Sequence, residues 1–307
     1  MVARGDSNLV YMTWEFQRAW WHAFGNDEPL FVVAERDGVP IALAPFVADR
    51  FSIWLVGHEQ GDWLDFIGDV ADDETVVALL ETAREAAPPS AQFQLQRLPG
   101  WRPRVRQLEA AAARLGVKKT YTVSKPMTPL VELAAHPETT AAAVERKADR
   151  EDRWLRKNGD LVVEHLRDGE AIRPHLVPFF DQHVERWAGV EGGYSVFSEP
   201  LTRRFVERLT ELMASTGWLR FTRLIWNGRT VAYDYNFSYA GRFYLWRGSF
   251  AIDFAHRSPG AVMVRHVLRA AIDEGAEIVD WGPGCTSYKM ELATRTENVC
   301  WWGTEAS

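Results

Sequence analysis

A chain of 307 residues, 47% hydrophobic and 25% charged, has the make-up of one large or two ordinary globular domains and not of a disordered protein. A net charge of -7 argues against a broad basic face for DNA, and the longest apolar runs fall well short of the ~20 residues a membrane span needs. Two cysteines, Cys285 and Cys300, and an N-terminus without an apolar signal core predict a cytoplasmic chain that uses no structural disulfide.

Residues 14–24 (WEFQRAWWHAF) carry a helical pattern. Three strands follow over 30–35, 40–47 and 51–57, the first two joined through Asp37-Gly38, a tight-hairpin signal. A helix over 71–87 opens on acidic residues, as a helix N-terminus favours, and a strand over 91–98 follows it. Helices are then predicted over 102–117 and 137–160, the second stopped by Gly159. The proline-bearing stretch 124–137 is the best boundary, giving domains 1–135 and 136–307. The locally basic stretches 101–107 and 146–157 read most simply as solvated helix faces.

The second half repeats the first. Helices are predicted over about 170–189 and 199–215, then strands over 218–226, 230–239 and 242–248, with Asn227-Gly228 at the first turn. A helix beginning at Ser258-Pro259 and a strand ending at Asp280 complete it. The shared order of helix, three antiparallel strands, helix, strand predicts a duplicated α/β unit with mixed, mainly antiparallel sheets.

The copies differ where the meander enters its helix. The first has Ala71-Asp72-Asp73-Glu74, which repels an anion; the second has Ser258-Pro259-Gly260. Gly260 lets a ligand approach the backbone, and the amides of Ala261, Val262 and Met263 begin a helix whose free N–H groups favour a phosphate. Arg257 and Arg265 are placed to add positive charge. The donor site is therefore expected in the second half.

This order, together with HRSPGAV (256–262), GDWLDFIG (61–68), FFDQHVERWAG (179–189) and DWGPGCTSYK (280–289), resembles the GNAT acyltransferases. Within them it is similar to the CelD-like acetyltransferase branch, related in turn to the FemABX-type aminoacyl transferases. The resemblance spans nearly the whole chain. It implies two GNAT-like halves with a cleft between them, and an acyl group delivered by acetyl-CoA or another acyl-CoA, or alternatively by an aminoacyl-tRNA. It also points to Asp65 as a substrate-facing carboxylate and to Lys289 as a group at the reaction centre.

Acyl transfer to an amine needs a proton acceptor, donors for the developing oxyanion and an acid for the leaving group. Asp65, between Leu64 and Phe66, sits where an unpaired charge is costly, and Asp62 lies beside it. In the strand 230–239, Asp234 and Asn236 share one face and could orient an acceptor; Tyr244 of the next strand joins them as a substrate-facing residue. His183 and Arg186 share a helix face as a base and a carboxylate or phosphate clamp. After Asp280 the chain turns through Gly282 and Gly284, and Tyr288 and Lys289 point to opposite sides if it is extended, Tyr288 to protonate a leaving thiolate and Lys289 to steady the acyl oxygen. Cys285 lacks the partners of a nucleophile, and no metal-ligand spacing occurs. The expected activity is acyl-CoA-dependent N-acylation of a small amine, amino sugar or peptide-like acceptor, the alternative a Fem-like aminoacyl transferase with tRNA as partner. A binding-only degenerate pair is the third reading.

Overall fold

The structure, a computed structural model, describes all residues except 1, 6, 26, 27, 136, 147, 191, 306 and 307, and omits the side chains of 4, 28, 126, 137 and 139. The chain divides into two compact units, Met1–Thr128 with Thr296–Ser307, and Pro129–Arg295. The sequence places the division near residue 135; in the structure it falls inside a strand, and the C-terminal segment returns to the first unit.

In the first unit, helix α1 (Trp14–Phe24) is capped by Thr13, whose hydroxyl accepts from Phe16 N–H, and buries Phe16, Ala19, Trp20 and Ala23. Strands β1 (Glu28–Arg36), β2 (Val39–Ala48) and β3 (Ser52–Leu55) form the predicted antiparallel meander. Its first turn has φ of 52° at Asp37 and 74° at Gly38, the left-handed pair that a two-residue hairpin requires. The short β4 (Ile67–Gly68) adds to β2. Helix α2 (Asp73–Ala86) is capped by Asp72 and leads to β5 (Gln92–Pro99), which runs parallel to β3. Helix α3 (Arg104–Arg114) and the long β6 (Thr120–Glu132) follow.

The second unit opens with α4 (Pro137–Arg146) and α5 (Asp149–Asn158), where the sequence predicted one helix over 137–160. Ala148, at φ 50°, lies in the left-handed region and stands immediately before the second of them. After β7 (Leu161–Leu166) come α6 (Gly169–Ile172), a 3-10 turn containing Pro174, and α7 (Leu176–Ala188), so the helix predicted over 170–189 is broken near its start. Helix α8 (Pro200–Met213) precedes strands β8 (Leu219–Trp226), β9 (Arg229–Tyr239) and β10 (Arg242–Phe250), which pair antiparallel. Helix α9 (Pro259–Asp273) crosses to β11 (Ile278–Asp280), parallel to β10. A short turn of helix, α10 (Ser287–Met290), and β12 (Arg295–Thr304) end the chain.

Both units therefore share one plan: three antiparallel strands, a helix, and a strand parallel to the third. Each plan is completed by one more antiparallel strand from elsewhere in the sequence. β12 pairs with β5, and the end of β6, residues 130–132, pairs with β11. No local pattern announces these pairings, which is why a single cut near 135 misses them.

Two details position the site. Val262, Met263, Val267, Leu268 and Ala271 of α9 pack on Leu224, Val231, Phe243 and Val279, anchoring the helix to its sheet. In β10 the register slips: Leu245 faces Asn236 and Arg247 faces Tyr235, leaving Trp246 as a bulge. The Trp246 N–H is satisfied by Asn236 Oδ1 at 3.1 Å. Beyond the bulge, Gly248 lies opposite Asp234.

Candidate active site

The second unit holds a cleft of about 370 Å³ between the bulged end of β10, the start of α9 and the 281–289 segment. Its apolar wall includes Tyr233, Leu245, Trp246, Phe250, Met263 and Trp281; its polar groups include Arg186, Asp234, Arg247, Tyr288 and Lys289.

Asp234 is the distinctive group. It is 7% exposed, and among the described residues it forms no salt bridge. Burial raises its carboxyl to about pH 7; the Asn236 amide and the Arg186 guanidinium pull the other way without reversing the shift. The Asn236 Nδ2 approaches without reaching hydrogen-bonding geometry. Asn236 is itself fully buried and holds the bulge, so it supports the cleft from behind. A carboxyl divided between its two protonation states at neutral pH is suited to take a proton from an amine.

Arg186, from α7, reaches the same spot. Its Nη1 donates to the Gly248 carbonyl at 2.9 Å, and its guanidinium lies 4.3 Å from the Phe250 ring centroid. Arg247 lies over the Trp246 ring.

Tyr288 and Lys289 both line the cleft, but α10 is helical there, so they do not alternate as an extended chain would. Tyr288 is 47% exposed and meets Trp281 edge-on. Partial desolvation, then the Asp234 charge, raises its phenol above the ordinary value. Lys289 Nζ donates to the carbonyls of Trp281 at 2.7 Å and Pro283 at 3.1 Å. It clamps the turn that follows β11, a more structural duty than the one anticipated for it. Asp280 serves the same turn, accepting from Gly282 N–H and pairing with Arg242, while Tyr244 is buried away from the cleft lining.

At the start of α9, Ser258, Pro259, Gly260 and Ala261 line the cleft, whereas Val262 faces the core. The amides of Ala261 and Val262 are not free as predicted: both donate to the Ser258 carbonyl, at 3.0 and 3.2 Å. Among the described residues the Gly260 N–H has no such acceptor. The position of a Cβ on Gly260 is 3.1 Å from the Phe250 ring, so that ring must yield to any side chain there. The two flanking arginines point elsewhere. Arg257 stacks on Trp154 at 3.5 Å, and Arg265 is held by Glu145 and Asp149. An anionic donor would meet the helix end, the Ser258 hydroxyl and the Gly260 amide, with cleft cations in place of the two predicted.

Three predicted site residues have other work. Asp65 and Arg104 form an ion pair in the first unit, 0% and 1% exposed, with Arg104 Nε 2.5 Å from Asp65 Oδ1. Ser7 and the Phe66 N–H also donate to that carboxylate, so it is a satisfied buried charge. Asp62 accepts from the Tyr11 hydroxyl at 3.1 Å, also in the first unit. His183 is a core imidazole. Its Nε2 accepts from Trp187 Nε1, leaving Nδ1 to donate to Ser195 Oγ at 2.8 Å, and burial lowers it to about 3. It stays neutral and does not line the cleft.

Sequence reasoning missed Arg247, Gly248, Phe250 and Trp281. Arg247-Gly248 closing an apolar strand, and Trp281 before Gly282-Pro283-Gly284, were the available signals.

A family model described as an acetyltransferase (GNAT) domain matches residues 142–290, which include every residue of the cleft. The matched segment, just under half of the chain and wholly within the second unit, is similar to a GNAT acetyltransferase domain. The fold of the chain is also that of FemX, at TM-score 0.65 and 11% identity over 96% of this chain and 92% of that one. The C-terminal domain of a putative lysylphosphatidylglycerol synthetase from Agrobacterium fabrum matches at TM-score 0.61 and 14% identity, covering 95% and 87%. L-PGS from Bacillus licheniformis matches at 0.54 and 12%, covering 95% and 92%. No curated protein matches the sequence. Among the described residues, no helix is long and apolar enough to cross a membrane.

Proposed function

We propose that this protein is a GNAT-type acyltransferase that moves an acyl group from an acyl-CoA thioester to an amine, with Asp234 as the base. The observation that carries the reading is a buried carboxyl, unpaired and half-ionised near neutrality, in the same cleft as the start of α9.

The ionised Asp234 takes a proton from the acceptor ammonium. The freed amine attacks the thioester carbonyl and forms the N–C bond. The C–S bond breaks, the sulfur leaves with a proton supplied by the Tyr288 hydroxyl, and the second nitrogen proton passes to solvent; Asp234 then gives up its proton and Tyr288 regains one, both through solvent, so that one proton is released per turnover. The apolar wall limits water near the thioester. Lys289 contributes by holding the 281–283 turn and by its positive charge beside the cleft.

Supplying acetyl-CoA with a panel of primary amines and following free thiol tests this. Release in the wild type, cut ~100-fold or more in Asp234→Asn, supports it; full activity in that variant places the base elsewhere.

An aminoacyl donor is the second reading, favoured by the fold shared with FemX and with the C-terminal domain of a putative lysylphosphatidylglycerol synthetase. It requires charged tRNA to bind a chain of net charge -7, and it predicts a steeply salt-dependent affinity with no thermal shift from any acyl-CoA.

A further inference from the structure

The surroundings of Gly248 narrow the class of acceptor. Arg186 is fixed against Phe250 and spends Nη1 on the Gly248 carbonyl, and among the described residues its guanidinium has no carboxylate partner. Asp234 sits on the other side of the same glycine. The position of a Gly248 Cβ lies 2.8 Å from Asp234 Oδ1, so any side chain there would press on the carboxyl. Asp234 and Tyr288 are both electrostatic neighbours of Arg186.

A cation and an anion thus face one cleft across a single glycine without pairing to each other. Both are partly or largely buried, and each would gain from a ligand of opposite charge. A guanidinium offers a carboxylate two parallel donors; a carboxylate offers an ammonium its strongest neutral-pH acceptor.

Resting on the acyl-transfer reading, we propose that the acceptor is an amino carboxylate, an amino acid or a compound carrying that unit, whose carboxylate lies on Arg186 and whose amine lies on Asp234, beside Gly248. The specificity-determining residue is then Arg186, and Asp234 both binds the ammonium and removes its proton. Gly248 keeps open the space that the ligand occupies.

The test measures binding and acylation together. Glycine, L-alanine and D-alanine are each compared with their amides and with methylamine or ethylamine, by saturation-transfer NMR for affinity and by thiol release from acetyl-CoA for turnover. The expected result is that at least one amino acid binds and is acylated about 10- to 100-fold better than its amide, a preference lost in Arg186→Gln and partly kept in Arg186→Lys. Gly248→Ala should raise KM for the same acceptor while the protein stays folded. Equal use of acids, amides and simple amines overturns the amino-carboxylate inference and leaves acyl transfer standing. A preference for acids that survives in Arg186→Gln also overturns it. If no compound binds and no thiol is released, both the inference and the acyl-transfer reading fall.

Discussion

Asp234 illustrates how a site residue works against its own fold. Its carboxyl titrates near 7 in the folded chain and near 3.8 when unfolded, so between those values the folded state holds the extra proton. Stability from this group is present below about 3.8 and lost as pH rises through 7, by on the order of 4 kcal/mol. Asp234→Asn removes that loss. The variant should melt several degrees higher than the wild type at pH 8, in a calorimetric scan, while losing activity; an equal or lower melting point would mean that the carboxyl is not desolvated. The kcat/KM of the wild type should rise with pH through about 7 as the base form appears. Asp65 is the opposite case, a buried charge fully answered by Arg104, Ser7 and the Phe66 amide. Arg104→Ala leaves that carboxylate buried and alone, and should cost about 3–5 kcal/mol in denaturant unfolding of the first unit.

At the scale of elements, the start of α9 and the turn after β11 carry the burden. The helix end is leaner than a run of free amides, because Ser258 already accepts from two of them. Its attraction for an anion then depends on the helix field and on the cleft cations. Ala261→Glu sets a negative charge at this end and should raise KM for the acyl donor about tenfold with kcat little changed; an unaltered KM would remove the donor from this position. Lys289→Ala releases two carbonyls of the 281–283 turn. Faster amide exchange over 281–289 and a lower kcat are expected, with partial recovery in Lys289→Arg, and unchanged exchange would show that the lysine does not clamp the loop.

Across the whole molecule, two buried groups set opposing pH slopes. His183, lowered to about 3, stays neutral when folded but gains a proton near 6.5 when unfolded, so its contribution to stability is lost as pH falls below 6.5. Asp234 has the reverse slope over much of the same range. Burial also lowers His165, His175 and His266, so the wild type should gain stability with pH over this range and Asp234→Asn should gain it more steeply. Parallel profiles for the two proteins in urea titrations would contradict this.

The repeat is legible in the sequence because its signals are local. Asp37-Gly38 and Asn227-Gly228 mark turns that few other residue pairs allow, and the alternation on either side fixes the strands. The contrast between Asp72-Asp73 and Ser258-Pro259 led to the expectation of a donor site in the second unit, and Ser258 and Pro259 line a cleft there. What a sequence cannot display is which groups meet. Asp65 and Asp234 are both acids set among apolar residues, yet one found an arginine 39 positions away and the other found only a cleft. The pairings of β12 with β5 and of β6 with β11 join segments separated by most of the chain, with no turn between them to reveal the match. Turn chemistry and hydrophobic period act between neighbours, so the sequence alone determined the repeated elements and their order; charge, burial and proton affinity depend on what folding brings near, so only the tertiary structure decided which of these two buried carboxylates was left without an ion pair among the described residues.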